Sequence, residues 1–299
     1  MSLPTKHLLH QGRVIASLGQ TALSAAMQRF RGVATSAPTT PGPAIEATIP
    51  PLSPDLVRDY VRHVGGDPGA WRGEVPPHLF PQWGFPLAAQ TLRGVPYPLM
   101  KVMNGGCRLE VNGRLPLAEP LRVSANLESI DDNGRRAVLH QRVVTGTDDQ
   151  ADRVIGHLYA IVPLGGGKDD NKQNGARPAK PRVPDDAREL AYWRIPADAG
   201  LAFAMLTGDF NPIHWVRPYA RASGFKSTIL HGFATMARAY EGLTRGLYAG
   251  DAHRIRVLDV KFTRPLALPA RVGLYVRDRE VYVGDAAGGP AYLTGSFEA

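Results

Sequence analysis

Several features that define common protein classes are missing from this chain of 299 residues. Its single cysteine, Cys107, excludes an internal disulfide and any zinc or iron–sulfur site built from several cysteines, and it fits a reducing compartment. No segment stays apolar for the roughly 18 residues that a membrane-spanning helix needs. Because 43% of the residues are hydrophobic and only 21% are charged, the sequence also excludes a wholly disordered chain.

Motifs of several enzyme and binding classes are missing too. Neither a GxGxxG fingerprint nor a phosphate loop is present, which argues against a dinucleotide or nucleoside triphosphate site. No Gly-x-Ser-x-Gly elbow is present, which argues against a serine hydrolase. The net charge of +8 arises at the N-terminus and in the last third of the chain, without a dense basic run or interleaved aromatic residues. We therefore expect no nucleic acid partner, whereas an anionic small ligand would suit this charge.

Residues 6–31 have the pattern of one long amphipathic helix. Polar side chains recur every three or four residues and form one narrow stripe, whereas apolar side chains from Leu8 to Phe30 fill the wider arc. Three interpretations stay open: a helix packed on its own protein, a helix in peripheral contact with a membrane surface, and an organelle-targeting transit peptide. We expect a cytoplasmic protein, or an organellar one if the segment is a transit peptide.

Two segments rich in proline or glycine divide the rest of the chain. Six prolines between Val33 and Pro54 forbid a continuous helix there, and a polar, glycine-rich stretch follows Pro163. We expect the second segment to be a mobile crossing between two halves of similar size. The predicted divisions are an N-terminal helix with a linker (1–45), a first half (46–162), a linker (163–187) and a second half (188–299).

Both halves show the same order of predicted elements. Helical patterns come first and a run of β-rich segments follows, which is typical of an α+β fold rather than a parallel βαβ fold. The predicted helices are 55–64, 87–92, 198–206 and 230–247. The predicted strands are 121–127, 137–145, 154–162, 255–262, 272–277, 281–285 and 292–297.

One short segment carries residue types suited to proton transfer. Asp209, Asn211 and His214 lie within six residues, and Gly208 and Pro212 force a turn among them. The Asn–Pro step disfavours a helical conformation at Asn211, so the backbone bends there. Such a bend can direct the Asp209 carboxylate and the His214 imidazole at one water molecule, which is an arrangement for general acid–base catalysis.

A second feature lies at the predicted start of the long helix. His231 and Gly232 occupy a position where first-turn N–H groups have no intrahelical acceptor and carry the positive end of the helix dipole. Because Gly232 has no Cβ, a ligand oxygen can approach its N–H closely. We therefore predict an oxyanion site at Gly232.

Simpler interpretations of these residues stay open. Asp209 and Asn211 have the composition of a turn whose side chains bond their own backbone. His214 and His231 could equally be hydrogen-bonded core histidines. A metal site built from Asp209, His214 and His231 matches no common spacing, so we expect no metal and no cofactor.

The motif resembles that of a known family. Residues 208–214, 222–225 and 229–232 read GDFNPIH, ASGF and ILHG, and they are similar to the hydratase-2 motif of the MaoC-like dehydratases, the (R)-specific enoyl-CoA hydratases. Residues 257–266 (VLDVKFTRPL) resemble the strand that follows in that family. The resemblance covers about the last 110 residues, and the first half is similar only in size and element order.

The resemblance implies a double hotdog, in which each half wraps an antiparallel sheet around a long helix. One half would carry the chemistry while the other, which has lost the motif, accommodates the acyl chain; no Asp-x-Asn-x-x-His occurs in residues 46–162. Asp209 and His214 would act together on the water. Asn211 would orient that pair, and the N–H of Gly232 would hold the thioester oxygen.

The activity implied by the resemblance is the reversible hydration of trans-2-enoyl thioesters to (3R)-hydroxyacyl thioesters in fatty-acid metabolism. The carrier would be coenzyme A or acyl carrier protein. Because both hotdogs lie in one chain, two alternatives stay open: a pseudo-dimer that works alone and a homodimer, which is common in such architectures. A hotdog module that binds acyl thioesters without turnover and an acyl-CoA thioesterase stay as alternatives. Two departures from the family pattern, Val216 in place of an acid and Thr228 in place of a proline, concern substrate shape more than the reacting groups.

Further residues are predicted to contact the substrate. Phe225 and His231 belong to the motif itself. Basic residues near the resembling strand are candidates for the phosphates of the carrier, although charges at strand ends are commonly only solvated. These four are Arg254, Arg256, Lys261 and Arg264.

Overall fold

The computed structural model describes residues 3–12, 37–99, 102–164 and 179–299. Five α-helices lie in this part of the chain: α1 (Pro54–His63), α2 (Pro81–Thr91), α3 (Ala199–Thr207), α4 (Arg217–Ala222) and α5 (Gly232–Leu247). Short 3-10 helices span Thr5–Gln11, Pro68–Trp71, Pro77–Leu79 and Pro212–His214. No helix among these residues is long and apolar enough to cross a membrane.

Ten strands form one antiparallel sheet, and two short strands pair separately. The first-half strands are β1 (Ile45–Ile49), β2 (Glu74–Val75), β3 (Met103–Val111), β4 (Leu115–Pro116), β5 (Leu121–Asp132), β6 (Arg136–Gly146) and β7 (Val154–Pro163). The second-half strands are β8 (Arg188–Ile195), β9 (Val257–Phe262), β10 (Ala270–Arg277), β11 (Glu280–Gly284) and β12 (Ala291–Glu298). The order in the large sheet is β1-β5-β6-β7-β3-β9-β12-β11-β10-β8, and β2 pairs with β4.

The strand order of the second half is that of the first half in reverse, so the large sheet is symmetric about its centre. Each half contributes one strand before its helices (β1, β8), one strand directly after them (β3, β9) and a three-stranded meander. The strands that follow the helices pair with each other, with Cys107 opposite Val260. The two halves therefore share one continuous sheet, joined along β3 and β9.

Helices cover one face of this sheet, and the main core lies between them. The longest helix, α5, contacts β8, β9, β11 and β12, while α2 contacts β1, β5 and β6. Buried residues from both halves form one contiguous cluster that includes Leu109, Phe203 and Tyr240. Burial of this apolar surface is the main favourable contribution to folding.

The pattern-based elements are largely confirmed, and the errors have physical causes. Gly208 ends α3 with a left-handed φ of 83°, as predicted. α2 begins at Pro81, six residues earlier than expected, because Pro86 is tolerated inside it. Strands β1, β3 and β8 were not predicted, since β1 lies in the proline-rich segment and β3 contains two adjacent glycines.

The N-terminal segment differs from the amphipathic helix expected over residues 6–31. Its described part is a short 3-10 helix in which Leu8 is 37% exposed. His7 and Gln11 are buried there and make polar contacts with the body of the protein. Residues 13–31 of the predicted helix lie outside the described residues.

The segment predicted as a linker over residues 163–187 is also only partly described. Pro163 is the last residue of β7, and residues 165–178 lie outside the described part of the chain. Further along, Val183 is buried and packs in a small cluster with Tyr275 and Tyr282. The end of this segment that precedes β8 is therefore packed against the second half.

Candidate active site

The motif turn (residues 208–214) departs from the end of α3. Gly208 adopts the left-handed conformation that lets its N–H bond the Ala204 carbonyl and ends the helix. The Asp209 side chain, one residue later, is 25% exposed. The Asp209 carboxylate therefore lies at the surface of the second half, next to the C-terminal end of α3.

Asn211 organises the turn through its own backbone. Its side-chain Oδ1 accepts a hydrogen bond of 3.3 Å from the Ile213 N–H, which caps the 3-10 helix Pro212–His214. Its backbone N–H donates to Asp209 Oδ1 at 3.3 Å. The Asn211 N–H therefore orients the carboxylate, while the amide side chain shapes the turn that carries His214.

A glycine in α3 sets how closely the turn approaches the helix. A Cβ built on Gly200 would lie 2.1 Å from the carbonyl oxygen of His214, far inside the contact limit. Only glycine lets the backbone at His214 pack directly on α3. This close approach fixes the backbone position from which the imidazole extends.

The His214 ring is buried and held at one nitrogen. Its Nδ1 lies 2.8 Å from the Ile229 carbonyl oxygen, so Nδ1–H donates and Nε2 carries the lone pair. Burial lowers the pKa of His214, and the nearby Asp209 carboxylate offsets part of this effect. At neutral pH the ring is therefore uncharged and able to accept a proton at Nε2.

His231 is the third member of the cluster. Its ring stacks on His214 with the ring centroids 3.5 Å apart, and its Nε2–H donates to the Asp209 carbonyl at 3.0 Å. Its Nδ1 is buried and has no hydrogen-bond partner among the described residues. Burial lowers the pKa of His231 well below its usual value, and His214 lowers it further.

The three side chains converge, because their possible ligand atoms all lie within 4.8 Å of one another. His231 Nε2 is 3.7 Å from Asp209 Oδ2. That nitrogen already donates its proton to the main chain, so it is not free to ligate a metal in this arrangement. The geometry suits proton transfer between a carboxylate, an imidazole and a water.

Gly232 begins α5 beside this cluster, with His231 as the N-cap residue. The Gly232 N–H, the first of the helix, has no intrahelical acceptor and lies at the positive end of the helix dipole. A Cβ on Gly232 would lie 2.8 Å from the Phe262 ring. The glycine therefore also makes room for a phenylalanine ring packed against the helix start, which is a further reason for a glycine that the sequence did not predict.

The remaining predicted substrate contacts lie at different distances from the motif turn. Phe225 lines a cleft of about 490 Å³ together with Lys226 and Arg271. Ile229, whose carbonyl holds the His214 ring, is also part of this cleft. The cleft and the motif turn therefore share one wall.

The four predicted basic residues are distributed before, on and after β9. Lys261 lies on the outer face of the sheet, because it alternates along β9 with the buried Val260. Arg254 lies over the Tyr248 ring beyond the C-terminal end of α5. Arg256 also lies before β9, whereas the Arg264 guanidinium donates to the Pro181 carbonyl at 3.2 Å.

Two features of the site escaped the sequence analysis. Gly200 is one, although a glycine inside the apolar stretch of α3 was an available signal. The stacking of His231 on His214 and on Phe203 is the other. It depends on how α3 and α5 meet, which local spacing does not encode.

The symmetric strand order of the large sheet indicates the class of fold. HtdX of Mycobacterium tuberculosis superposes with a TM-score of 0.68 at 19% sequence identity, over 85% of this chain and 99% of HtdX. Another protein of that organism, described as a double hotdog, superposes with a TM-score of 0.51 at 14% identity, over 87% and 96% of the two chains. The protein is therefore a double hotdog, as predicted.

Sequence comparisons show what the second half is similar to. Residues 174–287 match the model of the MaoC like domain. Probable enoyl-CoA hydratase 2 of Dictyostelium discoideum is 22% identical over 183 residues, covering 60% of this chain and 61% of that protein. 3-Hydroxyacyl-thioester dehydratase Y of Mycobacterium tuberculosis is 30% identical over 171 residues, covering 55% and 58%. The match of residues 174–287 to the MaoC like domain agrees with the resemblance, and the chain spans about three-fifths of the length of these relatives.

Proposed function

We propose that this protein is a hydro-lyase that reversibly adds water to trans-2-enoyl thioesters and forms (3R)-hydroxyacyl thioesters. One observation carries the proposal: a partly exposed Asp209 carboxylate and a neutral His214 imidazole lie together beside the first turn of a helix. The names of the relatives, enoyl-CoA hydratase 2 and 3-hydroxyacyl-thioester dehydratase, support the same reaction and substrate class.

In the proposed hydration, Asp209 and His214 hold one water between them. The water oxygen bonds to C3 of the enoyl group while His214 Nε2 takes one of its protons. The pair then returns a proton to C2, so that one water is added and the enzyme is unchanged. Asp209 stabilises the imidazolium that forms, because the opposite charge lies within the same cluster.

Negative charge grows on the thioester oxygen while C3 is attacked. The N–H of Gly232 at the start of α5 is the donor that we assign to this oxygen, aided by the helix dipole. Removing one donor of this kind commonly costs about 100-fold or more in turnover. His231 keeps the Asp209 backbone in place through its hydrogen bond.

The first half would accommodate the acyl chain. Phe85 from α2 packs edge-on against Phe233 with ring centroids 4.8 Å apart, and Phe233 directly follows Gly232. Phe80 and Phe262 pack against the same ring. This aromatic group supports an apolar path from the oxyanion donor towards the first half.

The test is direct hydration of two substrates, crotonyl-CoA and a long-chain trans-2-enoyl-CoA, with chiral analysis of the product. We expect loss of the enoyl absorbance, no release of free thiol, and a product of the 3R configuration. Absorbance loss that is matched by free thiol would identify a thioesterase instead. Saturable acyl-CoA binding without any absorbance change would identify a binding module, and either result would reject the hydro-lyase proposal.

A further inference from the structure

An N-terminal strap (residues 3–12) is attached to the body of the protein by polar contacts. Lys6 Nζ and His7 Nε2 each lie 2.9 Å from Asp59 Oδ2 on α1. The strap also packs along α3. These contacts with Asp59 hold the strap against α1.

Gln11 at the end of the strap is 0% exposed and reaches the end of α3. Its Nε2 donates to the carbonyl of Leu206 at 3.0 Å, across 195 positions of sequence. The last four carbonyls of a helix have no intrahelical donor. Gln11 therefore supplies a hydrogen bond that α3 cannot make for itself, three residues before Asp209.

A residue of the first half extends this chain of hydrogen bonds. Gln82 on α2 is 6% exposed, and its Nε2 lies 3.4 Å from Gln11 Oε1. The Oε1 of Gln82 has no partner within the described part of the chain. The strap thus connects α2 of the first half to the helix that carries the motif turn.

The motif turn is consequently held from two sides. His231 donates to the Asp209 carbonyl from the start of α5, and Gln11 donates to the Leu206 carbonyl at the end of α3. The Asp209 carboxylate lies between these two anchored points of the backbone. A catalytic group displaced by about 1 Å can lose about 100-fold in rate, so both anchors bear on its position.

We propose that the strap is a functional part of the active site and that Gln11 is a positioning residue for Asp209. Gln11 acts through the Leu206 carbonyl and touches neither the water nor the thioester. This inference rests on the proposed hydro-lyase function for its effect on turnover. Its effect on the backbone of the motif turn does not depend on that function.

The test compares Gln11→Glu and Gln11→Met with Gln150→Glu, the same type of substitution in the loop between β6 and β7, as the matched control. Glutamate keeps the size of Gln11 but its carboxylate has no proton to donate, and methionine removes the polar group altogether. With crotonyl-CoA, we expect kcat of the folded protein to fall about tenfold in both Gln11 variants, with KM within about twofold. Gln150→Glu leaves kcat unchanged, because the Gln150 amide makes an exposed hydrogen bond to Asp152 in a loop of the first half.

Backbone amide hydrogen exchange of residues 207–214 gives a readout that does not need turnover. We expect these amides to exchange faster in the Gln11 variants, while the amides of α5 keep their wild-type rates. Wild-type exchange in residues 207–214, or wild-type kcat in both variants, would overturn the positioning role. A wild-type protein that hydrates no enoyl thioester would reject the proposed function, and the exchange data would still decide whether Gln11 holds the turn.

Discussion

Two of the carboxylate–imidazole groups in the described part of the chain differ in what surrounds them. In the motif turn, Asp209 is partly exposed and His214 Nε2 has no donor among the described residues. In the cross-half cluster (Tyr60, Trp71, His78 and Glu241), His78 Nε2 lies 3.0 Å from Glu241 Oε1 and both side chains are almost fully buried.

Hydrogen bonds engage the side chains of all four residues of the cross-half cluster. Glu241 Oε1 also accepts from Trp71 Nε1 at 2.8 Å, and the Tyr60 hydroxyl lies 3.1 Å from His78 Nδ1. Both nitrogens of His78 are thus engaged, so the ring has no atom left for a substrate. Glu241 lies on α5, whereas the other three residues belong to the first half, so the cluster fastens the two halves together.

The comparison shows that residue type does not identify an active site by itself. A histidine beside a carboxylate becomes a candidate for catalysis when one nitrogen stays open and the carboxylate is reachable. The same pair becomes a structural fastener when every polar atom is bonded inside the core. The following variants test this difference between the motif turn and the cross-half cluster.

The largest effect is expected for His78→Ala, which leaves the buried Glu241 carboxylate with Trp71 as its remaining partner. Breaking a buried pair in this way costs about 3–5 kcal/mol of unfolding free energy. Chemical denaturation measures this loss, and kcat of the folded variant should stay within about twofold of wild type. Unchanged stability would show that the cross-half cluster fastens nothing.

Asp209→Asn should produce the opposite profile. The amide keeps an acceptor for the Asn211 N–H but loses the charge that stabilises the imidazolium, so kcat falls at least about 100-fold. His214→Ala should fall to a similar level, since the proton acceptor is gone. Thermal unfolding should stay close to wild type for Asp209→Asn, and near-wild-type turnover in either variant would contradict the assignment.

Acid should weaken the fold through histidines that lack a carboxylate partner. Burial, aided by the neighbouring Arg238, lowers the pKa of His63 to about 3, whereas the unfolded chain takes up this proton near pH 6.5. The unfolded state therefore binds more protons below about pH 6.5, and unfolding free energy falls by about 1.4 kcal/mol per pH unit for this residue between pH 6.5 and 3.

Urea unfolding of the wild type and His63→Asn between pH 7 and 4.5 measures this slope. Asparagine keeps a donor near the position of Nδ1 but does not titrate, so the variant should lose less stability per pH unit. Equal slopes in the two proteins would show that His63 is not the residue responsible.

A smaller effect is expected for Gly232→Ala. The new Cβ meets the Phe262 ring at 2.8 Å, and relieving such an overlap costs about 1–2 kcal/mol. Adding Phe262→Leu should recover part of the lost stability, as measured by the thermal midpoint. If the double variant is no more stable than Gly232→Ala, the ring is not the reason for the glycine.

The smallest effect is expected for Lys261→Ala. Its side chain lies on the outer face of the sheet, away from α5, so KM for crotonyl-CoA should change less than about twofold. A KM increase of about tenfold that disappears at high salt would restore Lys261 as a phosphate contact.

The sequence allowed prediction of what depends on near neighbours in the chain. The end of α3 at Gly208, the bend at Asn211 and the strands β6 and β7 follow from turn chemistry and alternation. The similarity of the second half to the MaoC like domain was predicted from a motif contained in 25 residues, from 208 to 232. Such features need no knowledge of the rest of the fold.

The features that were missed depend on distant contacts. β3 contains two adjacent glycines with weak strand propensity, and its pairing partners β7 and β9 come from elsewhere in the chain. Gln11 meets Leu206, and Gly232 meets Phe262, only after the helices pack. Local sequence patterns do not encode these contacts. The sequence therefore predicted neither the hydrogen bond of Gln11 nor the packing of Gly232 against Phe262.

The junction of β3 and β9 has a consequence for how such a protein can change. Two identical subunits would have to keep or lose a motif together, since one gene would encode both copies. Here the two halves of the sheet lie in one chain, and each half has its own stretch of sequence. One half can therefore change while the other keeps the acid and the imidazole. A difference between the two halves is thereby inherited with the single chain.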